Sequence, residues 1–184
     1  MKQNATNSCL KCKGCCKFEE EDLYFAPLFT KQEIMNLNKS YFKPYKNSKN
    51  VFQIKLKKQN NIYICPFLGD DHLCKIYEQR PFDCEFWPFM FMKKENKVYL
   101  CFTPELCSKT EDLSKQQIKT LTDKAIKYIK DNNIKHLIKT HKELVWDYED
   151  DTLIIEELDL IFTRATRVAT AGRRGKQHGV NRNK

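Results

Sequence analysis

Residues 9–16 read Cys9-Leu-Lys-Cys12-Lys-Gly-Cys15-Cys16, and downstream come Cys65-Pro66, Cys74, Arg80-Pro81 and Cys84. Four sulfurs within eight residues are far denser than chance allows, and Lys11, Lys13 and Lys17 exclude an apolar core segment there. Two residues between thiols let a tight turn aim both sulfurs at one ion, as in zinc and iron–sulfur sites alike. The fold is therefore expected to be organised around thiols as much as around an apolar pattern.

Met1 to Ser8 is polar and has no apolar h-region, and the longest apolar stretch, Phe86 to Met92, is too short to span a bilayer. These features predict a cytosolic protein with no membrane association. Thiols stay reduced in that compartment, so nine cysteines read as coordination or redox chemistry, and an odd total suits complete disulfide pairing poorly.

Adjacent residues project their side chains apart, so Cys15 and Cys16 need not bind the same ion. Cys9, Cys12 and Cys15 reproduce the Cys-x-x-Cys-x-x-Cys opening of a bacterial ferredoxin run. The fourth cysteine, however, follows at once rather than after three residues, and no proline follows it. A polynuclear centre, or two sites sharing the knuckle, explains the adjacency better than a single zinc. In the second group, prolines fix the backbone beside Cys65 and near Cys84. Cys101 falls within a predicted strand, where a buried thiol is expected, whereas Cys107 follows a turn at Pro104. The expected ligands are Cys9, Cys12, Cys15, Cys16, Cys65, Cys74, Cys84 and Cys107.

Arg80 can offset the negative charge of several thiolates and donate to sulfur, or it can cap its own turn. Tyr77 can pack against that turn or offer its hydroxyl. Both are candidates for contacts with the bound centre. The aromatic run Phe82, Phe86, Trp87, Phe89 and Phe91 can shield such a centre or simply fill a core.

Formal charge is +9, but Arg164, Arg167, Arg173, Arg174, Lys176, Arg182 and Lys184 contribute +7 from a stretch without acids, which leaves +2 for residues 1–163. The expected organisation is a cysteine-cluster domain over 1–163 and a disordered basic tail over 164–184, capable of weak polyanion binding. Within the domain, Thr30 and Glu33 form a capping-box pattern that predicts a helix over about 31–39. Alternation predicts a hairpin from Val51 to Cys65 and another from Phe89 to Phe102, and these strands are expected to carry the second cysteine group. Ser114 opens a helix bearing Ile118, Leu121, Ala125, Ile126 and Ile129, and Ile134 to His141 predicts another. Residues 143–148 and 152–158 suit strand or helix. The fold class is thus α+β, a small cysteine-rich metal-binding core with short β-hairpins, followed by helices and the tail.

The knuckle, Cys65-Pro66-Phe67-Leu68, and Cys74-Lys-Ile76-Tyr77-Glu-Gln-Arg80-Pro81-Phe-Asp-Cys84 together resemble the CxxCxxCC cysteine-cluster family, described as zinc- or iron-chelating. The resemblance covers about residues 8–110. It implies eight metal-binding cysteines, a link to iron–sulfur proteins and a distant relation to lysine N-methylases acting on flagellin. Three functions follow as alternatives. The first is a redox, sensing or metal-handling module holding an iron–sulfur cluster or iron ions, with zinc as the alternative metal. The second is a protein-modifying enzyme, and the third a zinc-stabilised interaction domain with a protein partner. A radical S-adenosylmethionine spacing and a Gly-rich cofactor loop are both absent from the sequence.

Overall fold

Asparagines and a glutamate in left-handed conformations set several of the turns that give the chain its layers. Asn60 (φ 56°) turns Lys57–Gln59 back on Ile62–Ile64, Glu95 (φ 57°) closes Phe89–Lys94 onto Lys97–Phe102, and Asn133 (φ 52°) separates two helices. Asparagine tolerates this region because its short polar side chain bonds locally, while a glutamate there is less common. The computed structural model describes residues 14–21, 25–71, 73–104, 107, 110, 113–150 and 152–161. Cys9, Cys12 and the basic tail lie outside them.

The strands are β1 (Lys17–Phe18), β2 (Leu28–Thr30), β3 (Phe42–Pro44), β4 (Val51–Ile54), β5 (Lys57–Gln59), β6 (Ile62–Ile64), β7 (Phe89–Lys94), β8 (Lys97–Phe102), β9 (Val145–Asp147) and β10 (Leu153–Ile161). The helices are α1 (Phe82–Phe86), α2 (Lys115–Asp131) and α3 (Ile134–Thr140). Three sheets result, ordered β1-β6-β5, β2-β4-β3 and β10-β8-β7-β9. All pairings are antiparallel except β7 with β9.

Strand alternation decides the layering. In the largest sheet, Phe89, Phe91, Val98, Leu100 and Phe102 face α2 and α3, meeting Ala125, Ile129, Ile134 and Ile138. The opposite face presents Met90, Met92 and Cys101 to Leu28, Tyr45, Val51 and Trp146. Leu28 and Val51 share one face of β2-β4-β3; the other face carries Phe29, Phe42 and Ile54 into a third cluster with Phe18, Cys65 and Phe67. Each fully buried aliphatic or aromatic side chain contributes about 1.5–3 kcal/mol, so the three clusters dominate stability. The aromatic run belongs to this packing. Phe82 and Phe86 stack with Phe91, Tyr128 stacks with Phe82, and Trp87 joins the cluster around Met92.

The α+β class and both helices after Ser114 are as the sequence predicts, and α2 begins with the full Ser114–Gln117 capping box. Three local expectations need correction. Residues 31–37 form successive turns, not a regular helix, although the Thr30–Glu33 box does form. Asn38 competes by capping the next short turn at Ser40. The strand at Val51 pairs with β2 and β3, while β6 pairs with β5 and β1. Finally, hairpins do not carry the second cysteine group as a whole: Cys65 follows β6, Cys74 closes a loop and Cys84 lies in α1.

Candidate metal centre

The two cysteine groups meet because β1 pairs with β6. Lys17 opposes Ile64, and the next step of the ladder is Cys65 N–H donating to the Cys16 carbonyl at 3.0 Å. Gly14–Cys16 is a single 3-10 turn, which leaves Cys15 exposed and Cys16 half-buried. Beyond Cys65 the chain makes a tight excursion: Leu68 bridges Cys74, and Gly69 N–H donates to Leu73 O at 2.8 Å. A Cβ at Gly69 would lie 2.5 Å from Asp71 Oδ1, so a side chain there would displace the carboxylate that caps Leu73 N–H. Both neighbouring thiols accept backbone N–H groups, Cys65 from Phe67 and Leu68 and Cys74 from Ile76, an arrangement that holds sulfur in place and favours its anionic form.

From Cys74 the chain turns through Tyr77 to Arg80. The guanidinium lies 3.8 Å from the Tyr77 ring centroid, and its Nε donates to the Tyr77 carbonyl at 3.0 Å. Arg80 also lowers the pKa of both Cys15 and Cys74. Arg80 therefore caps its own turn and bears on the thiols at the same time, and Tyr77 supplies the platform on which it rests.

Pro81 then opens α1, whose five residues are too few to hold a helix alone. Two carboxylates fasten it. Glu33 Oε1 accepts Phe82 N–H at 2.7 Å while Oε2 accepts Thr30 N–H at 2.7 Å and Thr30 Oγ1–H at 2.9 Å. Reciprocally, Asp83 Oδ2 accepts Leu28 N–H at 2.9 Å. Burial raises the Asp83 carboxyl to about 6 against the opposing Leu28 bond. Sequence reasoning missed both roles; the Thr30–Glu33 spacing was a signal, but nothing local showed that the second oxygen would reach Phe82.

Five thiols feel one another's charge. A hydrogen bond from Cys16 lowers Cys15 to about 7, with its own backbone N–H and Arg80 acting in the same direction and partial desolvation among the neighbouring thiols opposing, although the residue as a whole is exposed. Cys16 is raised well above the usual thiol range by donating that bond, by burial, and by the charges of Cys15, Cys65 and Cys84. Cys65 is pushed up to about 11 and Cys84 well above the usual thiol range, each chiefly by burial, with neighbouring acidic groups adding to it. Cys74 is raised chiefly by burial as well. Cys101 stands apart: burial alone lifts it to about 12, and Met92 N–H is its polar neighbour. Cys107 is half-buried, and its carbonyl accepts both Thr110 N–H and Thr110 Oγ1–H.

Among the described residues, no three Cys, His, Asp or Glu side chains form a set arranged to hold one ion. The chemistry of the donors nonetheless fits a soft or borderline cation. They are thiols from three chain segments, with backbone N–H donors on three sulfurs and a guanidinium beside two. Cys15, Cys16, Cys65, Cys74 and Cys84 would hold such a metal.

Thiols gathered this way define a cysteine-cluster chelating domain. The chain belongs to the CxxCxxCC family, whose model matches residues 8–124 and is described as a "Putative zinc- or iron-chelating domain". Comparisons with curated proteins and with solved structures returned no match. No helix among the described residues is long and apolar enough to cross a membrane.

Proposed function

We propose that the chain is a metal-binding module that holds an iron–sulfur centre or iron ions through Cys9, Cys12, Cys15, Cys16, Cys65, Cys74, Cys84 and Cys107. Its role is redox chemistry, sensing or metal handling in a reducing, cytosolic setting. The observation that carries this reading is the convergence of the vicinal pair Cys15 and Cys16 with Cys65, Cys74 and Cys84 beside one guanidinium. One tetrahedral zinc takes four ligands, whereas five mutually charged thiols, with Cys9 and Cys12 next to them in sequence, exceed that number. Arg80 offsets the excess negative charge and rests on Tyr77, so it tunes the centre without ligating it.

Anaerobic purification under reducing conditions tests the reading. Broad visible absorbance with acid-labile sulfide is the expected result. A colourless protein with stoichiometric zinc and no sulfide would replace it with a zinc-stabilised domain. Replacing Arg80 with Met should shift the reduction potential of the centre while retaining its metal; an unchanged potential would remove Arg80 from the site.

A further inference from the structure

Away from the cysteines, the β2-β4-β3 sheet leaves its third core cluster open at one side. Ile34, Met35, Phe42, Pro44 and Phe52 line a groove of about 210 Å³, and Lys31 and Lys39 complete its wall. Met35 is 67% exposed, so the groove has an apolar, adaptable rim instead of a polar cover. The volume suits one large aliphatic side chain.

The chain segment that lines the groove is charged almost entirely with one sign. Residues 31–58 contain eight lysines and a single acid, Glu33. Both Glu33 oxygens are engaged by Thr30 and Phe82, so that carboxylate does not face the lysines as a partner. Lys55 Nζ donates to the Ser40 carbonyl at 3.1 Å, and Lys57 lies 5.2 Å from the Tyr41 ring centroid. These bonds draw both cations to the 39–41 turn that borders the groove. At the other side, Lys31 N–H is bonded to Asn50 O, next to Lys49. Lys31, Lys39, Lys55 and Lys57 form no ion pair among the described residues.

We infer that this groove docks an acidic polypeptide segment that inserts one apolar side chain between Lys31 and Lys39. An apolar anchor ringed by cations is matched by a hydrophobic residue flanked with carboxylates, where the anchor gives affinity and the charges give orientation and encounter rate. Nucleic acid fits less well, because base stacking needs an open ring face. Phe42 instead packs edge-on against Phe29 at 4.9 Å, and Tyr41 is taken by Phe67 and Lys57.

Fluorescence polarisation of the full chain, as purified with its metal, against a labelled peptide of glutamates around one central leucine tests the inference. Controls are the same peptide with serine for leucine, and a deoxythymidine oligonucleotide. The leucine peptide should bind about tenfold or more tightly than the serine peptide, the gain expected for burying one such side chain. The basic tail would treat the two peptides alike. Lys31→Glu with Lys39→Glu should abolish that preference while leaving metal content and melting temperature unchanged. Failure to bind, equal affinity for the two peptides, or an unaffected double variant would overturn the proposal. Displacement by the oligonucleotide would assign the face to nucleic acid instead, and concentration-dependent dimerisation lost in the double variant would assign it to a second copy of the chain.

Discussion

Replacing Glu33 with Ala should loosen Cys84 without touching a thiol. The carboxylate accepts three hydrogen bonds, from Thr30 N–H, Thr30 Oγ1–H and Phe82 N–H, all partly buried. Bonds to a charged group are worth about 1.5–3 kcal/mol each when isolated, but Thr30 Oγ1 can find water and the backbone groups are partly accessible. A net loss of about 3 kcal/mol is reasonable. For a chain of this size that corresponds to a fall in melting temperature of about 6–12 °C. The five-residue α1 retains the Asp83 bond to Leu28, the Tyr128 bond to Glu85 and the packing of Phe82 and Phe86 as anchors, so the helix loosens without detaching and metal affinity should fall about tenfold in chelator competition, as for loss of an outer partner of a ligand. Glu33→Gln should fall between, because its carbonyl can accept from one of the two N–H groups while its amide nitrogen faces the other. Scanning calorimetry and metal competition on the same preparations read both effects. A melting temperature within about 1 °C of the parent, with metal affinity intact, would refute the claim that Glu33 fastens the Cys84 helix.

Cys84→Ser should lower metal content, whereas Cys101→Ser should keep it and cost about 1–3 kcal/mol by burying a hydroxyl among apolar groups, as elemental analysis and urea titration would show. Tyr128→Phe removes the 3.1 Å bond to Glu85 and should cost about 1 kcal/mol at neutral pH. Burial, followed by Glu85, raises the Tyr128 hydroxyl to about 12, so the native state holds its proton more tightly than the unfolded chain. That contribution is complete below about pH 10 and declines as pH rises towards 12, so the alkaline loss of stability should be smaller in the variant. Deleting Arg164 to Lys184 should leave metal content and the thermal transition intact while weakening a salt-sensitive binding to polyanions; a metal-free truncated chain would place the tail within the domain.

What the sequence made legible was local. The Ser114–Gln117 box, the apolar period through Ile129 and the alternation from Phe89 to Phe102 each encode an element within a few neighbouring residues, and the structure contains all three. The stretch from Lys31 misled because the capping box reports only that Thr30 and Glu33 meet; it forms equally well above a run of turns. Pairing was harder still. The Val51 strand has two equivalent-looking partners in sequence, and the choice of β2 and β3 depends on Leu28 and Val51 burying against Met92 and Trp146, a contact between distant segments.

The same distinction applies to the centre. Cysteine spacing marks which residues belong together but not what brings them there, since a thiol carries no periodicity. The pieces that do so are ordinary: one rung of the β1–β6 ladder delivers Cys16 to Cys65, the Leu68 bridge returns Cys74, and two carboxylates exchange backbone bonds to seat α1 against β2. None of these requires metal to be drawn in a sequence, yet all converge on the thiols. Burial raises Cys65, Cys74 and Cys84 and donation to Cys15 raises Cys16, with the neighbouring thiols adding to each, so protons or a cation must replace the solvation lost there. Arg80 supplies one positive charge to Cys15 and Cys74 and cannot neutralise the rest. Metal binding should therefore favour the folded chain, so chelation under reducing conditions is expected to lower the melting temperature; an unchanged thermal transition after verified metal removal would make the thiols peripheral to the fold.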